Sequence, residues 1–352
     1  MAALEFLFQE EVEPARGLAT DRYFLNSFQK GNRPHAGVLR IYTIGGDVVS
    51  VGRFQRVSAG ADTSRIWRRF SGGRALPFGD GFLGFSLLLP HRSALVSDDP
   101  YHLSPYQVPN RYARGLLAAL RTLGLDAFYP GRDLITVNRK AIGMVSFETD
   151  EHGALVFEGI LAVERDFSLL PRLLKAVDPD GLFRGETLSP QSATSVCAET
   201  GERVSTREIA RALRLGFQEQ FRVEAEVREL SSLEIQAVQA IEVREFGGSW
   251  VASRSLRPDL DLSAETPVTL GVFQASLTLE QDRFLREVQF SGDFIANSTG
   301  IETLEHELRL CPADWQSIAL VADQIYGRPE NYVLGIGKLR TIPDTIIKAL
   351  PL

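Results

Sequence analysis

Cysteine is almost missing from this sequence. Cys197 and Cys311 are the two in 352 residues, without metal-like spacing and too few for a disulfide framework, which suits a reducing compartment and predicts free buried thiols. Histidine is nearly as sparse. His35, His91, His102, His152 and His306 show no paired spacing, which argues against a zinc site. No apolar run approaches the roughly 20 residues of a membrane span. The stretch from Met1 to Glu11 lacks the basic start and small-residue cleavage site of a signal peptide and reads as a first strand. Positive charge is not in excess either: 38 Lys and Arg against 45 Asp and Glu leave a net charge of −7. General nucleic-acid binding needs a basic face to displace counterions, so it is not expected. Repeats and low-complexity runs are absent too. The composition points to a cytoplasmic protein whose length exceeds what one compact core usually carries, so two domains are expected.

Strands of mixed alternation separated by a few clear helices predict an α/β (α+β) chain with mixed, largely antiparallel sheets. Gly37 to Ile44 and Val48 to Gly52 read as apolar strands around a Gly45-Gly46-Asp47 hairpin turn signal. Phe82 to Leu89, Leu134 to Val137 and Ala154 to Val163 read as further strands. Pro109-Asn110 opens a helix ended by Gly124, and Ser205-Thr206-Arg207-Glu208 is a capping box for a helix through Phe221. A polar, Arg-rich passage from Ser249 to Ser263 is the best domain boundary. Beyond it, Val268 to Leu279 and Phe284 to Phe290 form a hairpin around Glu280-Gln281-Asp282-Arg283.

The most informative stretch is Arg68-Arg69-Phe70-Ser71-Gly72-Gly73-Arg74-Ala75-Leu76, where two guanidiniums run into a side-chain-poor turn. Glycines let backbone N–H groups approach a ligand, and an Arg fork matches phosphate or carboxylate. Arg53, Arg56, Arg65, Arg68, Arg69 and Arg74 crowd the same span. A solvated basic edge leaves the Ser-Gly-Gly turn without a purpose, whereas a convergent anion site accounts for both features. Downstream, Gly131-Arg132-Asp133 precedes an apolar strand, a basic turn and Lys140-Ala141-Ile142-Gly143.

In order and spacing these segments resemble the lipoate–protein ligase family of the biotin/lipoate cofactor-transferase superfamily, which carries Arg-Arg-x-Ser-Gly-Gly-Gly-Ala, Gly-Arg-Asn-Asp and Lys-x-x-Gly stretches. Phe157-Glu158-Gly159-Ile160-Leu161 stands where that family has His-His-Gly-Thr-Leu, and the C-terminal part is similar to the accessory domain of its longer members. The resemblance implies a catalytic domain over residues 1–250, a linker over 251–262 and a small α+β accessory domain over 263–352 that reorients between reaction steps. It implies an enzyme that activates lipoate or octanoate with ATP and Mg²⁺ as an acyl-adenylate, then transfers the acyl group to a lysine of a lipoyl-type carrier domain. Biotin is the weaker ligand candidate. Carried onto this sequence, the ATP-binding residues are Arg69, Gly72, Gly73, Arg74, Ala75, Leu76, Pro77 and Lys140. The acyl group falls to Lys140, Gly143, Phe78, Phe82 and Phe157, the metal to Asp133, and the catalytic role to Lys140.

Several positions depart from the family pattern. Arg74 replaces a third glycine, Phe78-Gly79 replaces His-Asp with Asp80 one residue on, and Phe82 replaces an asparagine. The Asn before Asp133 is missing, and Ile142 replaces a serine. These changes leave two alternatives beside the ligase: an ATP-independent octanoyl or lipoyl transferase acting through a thiol or Lys140, with Cys197 the less favoured nucleophile, and a non-catalytic relative that binds an acyl ligand or a carrier.

Overall fold

A computed structural model describes residues 3–29, 36–58, 60–178, 180–183, 185–254, 257, 259–281 and 283–351. Along the chain run β1 (Ala3–Gln9), α1 (Pro14–Gln29), β2 (Gly37–Tyr42), β3 (Asp47–Val51), β4 (Ile66–Arg68), β5 (Leu76–Gly79), β6 (Phe82–Leu89), α2 (Val108–Thr122), β7 (Ala127–Phe128), β8 (Leu134–Val137), β9 (Lys140–Thr149) and β10 (Leu155–Ala162). After these come α3 (Leu170–Val177), α4 (Val196–Thr200), α5 (Thr206–Phe221), β11 (Glu224–Val227), α6 (Ser232–Glu245) and α7 (Gly248–Val251). The C-terminal part holds β12 (Leu262–Val268), β13 (Gly271–Glu280), β14 (Phe284–Gly292), β15 (Ile295–Ala296), α8 (Ser298–Glu307), α9 (Trp315–Tyr326), β16 (Val333–Leu334) and α10 (Thr341–Ala349).

The chain is α/β with mixed sheets, as its pattern predicts. Eight strands in the order β11-β1-β2-β6-β10-β9-β8-β7 form the main sheet, antiparallel except where β1 meets β2 and β11. Strands β6 and β10 are buried along their whole length because both sheet faces are covered. One face carries α2 and α5, which approach closely at Gly216 and Gly115: a Cβ on Gly216 would lie 2.5 Å from Ala119 N. The Ser205 and Glu208 capping box starts α5 as the sequence implies. Against the other face pack α1 and a small sheet of order β4-β3-β5.

The predicted hairpin about Gly45-Gly46-Asp47 does not form, because β2 pairs with β1 and β6 whereas β3 joins β4 and β5 in the small sheet. Gly46, at φ +76°, turns the chain out of the main sheet, and its N–H donates to Asp80 Oδ1 at 2.9 Å.

Strands β12 to β14, with α8, α9 and α10, enclose a cluster of their own that also takes in Phe54 from the N-terminal part. Aromatic stacking joins this part to the N-terminal part beside polar contacts such as Gln55 Nε2 to Asp293 Oδ1 at 2.6 Å. Phe54 stacks on Phe294 at 4.7 Å, and Phe147 stacks on the fully buried Tyr332 at 4.8 Å. Of the passage taken as a linker, residues 255, 256 and 258 lie outside the described residues. Arg254 within it is buried and pairs with Glu305 at 2.6 Å.

Candidate active site

The Arg68 to Ala75 segment links β4 to β5 and is pinned to the neighbouring loop, Arg69 N–H donating to Val51 O and Arg53 N–H to Ser71 O, each at 2.9 Å. Gly73 needs its glycine, since φ is +99°. The two arginines point to different tasks. Arg68 donates four hydrogen bonds, all to main-chain carbonyls: Nε to Val251 O, and Nη1 to Gly52, Arg53 and Gln55 at 2.8–3.1 Å. With no carboxylate among these partners, burial pulls its pKa down to about 9. Arg68 is therefore chiefly a brace for the 52–55 loop, with Nη2 alone left without a partner among the described residues.

Arg69 turns the other way, toward the main sheet. Its Nη1 donates to Ser50 Oγ at 2.8 Å and its Nη2 to Gly72 O and Arg74 O at 3.2 and 2.8 Å, holding the glycine turn from inside. Under the turn lies a transverse polar row, because register aligns Arg40 with Ser86, Ser86 with Glu158 and Glu158 with Ser146. All four are buried, as is Asp21 of α1, which accepts from Arg40 Nη1 at 2.9 Å and Ser86 Oγ at 2.8 Å. Glu158 accepts the Ser71 N–H at 2.8 Å, and Ser146 Oγ donates to Gly72 O at 3.0 Å. Burial holds the Glu158 and Asp21 carboxyls above their usual range, with Arg69 and Arg40 opposing.

Arg74 and Asp133 form a bidentate buried pair, Nε to Oδ2 at 2.7 Å and Nη2 to Oδ1 at 3.1 Å. Burial lowers the Arg74 pKa, but Asp133 outweighs it and the net direction is upward. Each Asp133 oxygen accepts one of these hydrogen bonds, and a metal ion on a remaining lone pair would lie beside the buried Arg74 cation, which disfavours it. An anion fits better. Among the described residues, Arg68 Nη2, Arg69 Nε, Ser71 Oγ and Arg74 Nη1 are buried without hydrogen-bond partners, four atoms of one short segment that can donate to phosphate or carboxylate oxygens. Arg74 Nη1 has only a 3.7 Å ion pair with the exposed Glu186.

Lys140 leaves the turn between β8 and β9, where Asn138 and Arg139 both take positive φ, 49° and 66°, as a two-residue hairpin turn requires. Its ammonium is half-buried, with no hydrogen bond or ion pair among the described residues. Gly143 follows at a register shift in the β8–β9 pair. Ala75, Leu76 and Pro77 are buried at the entry to β5. Phe78 packs edge-on to Tyr42 and Trp67, and Phe82 stacks on Phe167. Phe157 belongs to the cluster on the opposite face, beside Phe85 and Tyr112. These three cannot line one acyl pocket, since alternate strand residues point to opposite sheet faces. Clefts of about 230 to 830 Å³ among the described residues are lined by neither Arg69, Arg74, Asp133 nor Lys140.

The C-terminal part closes the turn from outside. Gly73 N–H donates to Phe294 O at 2.8 Å, and a Cβ on Gly72 would lie 2.0 Å from that oxygen. Asp293 beside it accepts from Gln55 Nε2 at 2.6 Å, and burial raises its pKa to about 6. Ser146, Glu158, Arg40 and Asp21 complete the site's polar setting. Their one sequence signal is a polar residue recurring at the facing positions of otherwise apolar strands.

The model of the lipoyl protein ligase A/B catalytic domain matches residues 13–218. The chain belongs to this family. Octanoyltransferase LipM of Clostridioides difficile is 24% identical over 259 residues, covering 67% of this chain and 93% of its own length. "Probable lipoate-protein ligase A" of Mycoplasma pneumoniae is 24% identical over 337 residues, covering 93% and 92%. Among solved structures, P. falciparum LipL1 in complex with lipoate superposes over 98% of this chain and 100% of its own, with a TM-score of 0.70 at 12% identity. A lipoate-protein ligase A bound with ATP covers 72% of this chain and 100% of its own, with a TM-score of 0.56 at 21% identity. The fold is thus shared along nearly the whole chain.

Proposed function

We propose that this member of the lipoate ligase and octanoyltransferase family is an ATP-dependent ligase for lipoate or octanoate. The observation that supports this most is the set of buried, partnerless donors at Arg69, Ser71 and Arg74, in a turn held rigid by Glu158 and Ser146. In the proposed reaction an acyl carboxylate oxygen attacks the α-phosphorus of ATP, pyrophosphate leaves, and a carrier lysine amine then displaces AMP from the acyl-adenylate. The barrier is repulsion between two anions. Preorganised donors that need not reorient are the effective remedy. Arg69 and Arg74 supply charge on one side, Lys140 a mobile ammonium on the other, and no enzyme nucleophile is required.

The thiols support this reading over a thioester route. Cys311 lies buried in the C-terminal part, and Cys197 Sγ on α4 accepts the Val204 N–H at 3.4 Å; neither belongs to the motif segments. One observation favours the ATP-independent transferase as a second reading: Arg74 fills the carboxylate that would otherwise hold Mg²⁺. Because Phe294 O occupies Gly73 N–H, phosphate reaches that donor only when the C-terminal part, proposed as an accessory domain over residues 263–352, withdraws. Purified protein is incubated with ATP, Mg²⁺ and lipoate, octanoate or biotin, and acyl-AMP is sought by mass spectrometry. Octanoyl transfer from a carrier thioester without ATP would displace the ligase reading. Neither product would leave a binding relative.

A further inference from the structure

A second site lies beside the Arg68 to Gly73 segment, where Arg53 and the buried Phe70 help line it. It is a cleft of about 230 Å³ bounded by β9, α7 and the first turn of α8. Two carboxylates reach it from alternate positions of one strand end, Glu148 and Asp150. Each spends one oxygen on architecture. Glu148 Oε1 accepts the Ser298 N–H at 2.7 Å, tying β9 to the start of α8, and Asp150 Oδ1 accepts the His152 and Ala154 N–H groups at 2.9 Å, shaping the turn between β9 and β10. The other oxygen of each, Glu148 Oε2 and Asp150 Oδ2, is buried without a hydrogen-bond partner among the described residues. Glu148 itself is only 6% exposed.

Glu151 and Glu302 add two further acids to the walls, against Arg22 and Arg53. Arg53 pairs with Glu302 at 3.9 Å, and both arginines have further partners outside the acids of the cleft. Arg22 lies over Phe70 at 4.9 Å and faces Glu245 at 3.4 Å, while Arg53 lies over Trp250 at 4.4 Å and donates to Ser253 Oγ at 2.9 Å. The cleft therefore sets four acids against two arginines, with two carboxylate oxygens lacking hydrogen-bond partners among the described residues and an apolar side made by Leu25 and Val156. Burial keeps Glu148 protonated up to about pH 8, so a bound cation would have to draw that proton off. An acceptor buried without a donor is costly, and a ligand that supplies N–H groups relieves two at once.

We propose that this cleft binds an alkylammonium group, with its N–H donors on Glu148 Oε2 and Asp150 Oδ2 and its methylenes against Leu25 and Val156. A compact ammonium suits two single oxygens from separate carboxylates better than a guanidinium, whose planar fork matches both oxygens of one carboxylate. The chemistry is common to a free small amine and to a lysine side chain presented by another protein. This site is independent of the acyl-activation reading.

The test titrates n-butylammonium into the full-length protein by isothermal calorimetry, with chemical shifts of Ser298 and Thr299 amides reporting location. A dissociation constant of about millimolar is expected for so small a ligand. Neutral 1-pentanol and tetramethylammonium, which lacks N–H donors, should bind at least about tenfold more weakly, as should n-butylammonium to Asp150→Asn and to Glu148→Gln. Both variants keep the structural acceptor oxygen, so unchanged circular dichroism is expected. Methylamide-capped N-acetyl-lysine and an intact lipoyl domain, with its acceptor lysine or with methionine in its place, separate the two sources. Equal binding of 1-pentanol, parent-like affinity in both variants, or no binding at 100-fold the expected constant would each overturn the proposal.

Discussion

Replacing Asp133 with asparagine separates two roles for this residue, metal holder and partner of Arg74. The side chain keeps its shape but loses its charge, and Asn can accept only one of the two Arg74 hydrogen bonds now at 2.7 and 3.1 Å. Asp133 is 1% exposed and Arg74 2%, so water cannot replace the lost partner. Leaving one member of a buried ion pair uncompensated costs about 3–5 kcal/mol. At about 2 °C per kcal/mol, the low end of the range for chains of about 150–250 residues, Tm should fall by roughly 6–10 °C without any ligand or metal present. Arg74→Met combined with Asp133→Leu should recover most of that loss, because apolar residues of similar volume replace the pair without a stranded charge. Differential scanning calorimetry in EDTA reads the effect. Refutation would be an unchanged Tm for Asp133→Asn in EDTA together with a Mg²⁺-dependent rise in Tm for the parent, which would mean the carboxylate is free for metal and Arg74 is not its partner. Arg74→Gly, which puts back the glycine of the family motif, should instead make Tm respond to Mg²⁺.

Lys140→Ala should abolish acyl-AMP formation by about 10²-fold or more while leaving Tm nearly unchanged, since the ammonium has no partner among the described residues; near-normal turnover by mass spectrometry would remove Lys140 from the site. Glu148 is raised to about 8 by burial, with the Ser298 N–H and Arg53 opposing and Glu302 and Tyr332 nearby. The folded state therefore keeps a proton that the unfolded chain releases, and parent stability declines as pH rises from about 5 to 8. Glu148→Gln should gain on the parent across that window, by up to about 3–5 kcal/mol, and parallel urea-melt profiles from pH 5 to 9 would contradict the shift. Phe54→Ala removes the ring stacked on Phe294 at 4.7 Å. It should cost about 3–5 kcal/mol and speed hydrogen exchange at the Gly73 amide, whose acceptor is Phe294 O; exchange at the parental rate would show that the contact does not depend on that stack.

Local signals were enough to read two of the helices, α2 and α5, about half of the strands, and the motif segments from the sequence. The capping box at Ser205 and Glu208, the glycine after α2 and the apolar runs of β6 and β10 each encode their element within a few residues. The family resemblance grouped Arg69, Gly72, Gly73, Asp133 and Lys140, because each of its short motifs is carried by contiguous residues. What the tertiary structure decided were relations between distant positions. That Arg68 braces backbone while Arg69 faces the sheet depends on which way a strand end is twisted, which no neighbouring residue states. Arg74 looked like part of an anion cradle, and its commitment to Asp133, 59 residues away, came only with the fold. Phe82 and Phe157 read alike as bulky replacements, yet they lie on opposite faces of one sheet. The polar row from Arg40 to Ser146 is the clearest case. Arg40, Ser86 and Glu158 are each a lone polar side chain in an apolar strand, Ser146 lies in β9 beside other polar residues, and only the pairing register of four strands makes them neighbours.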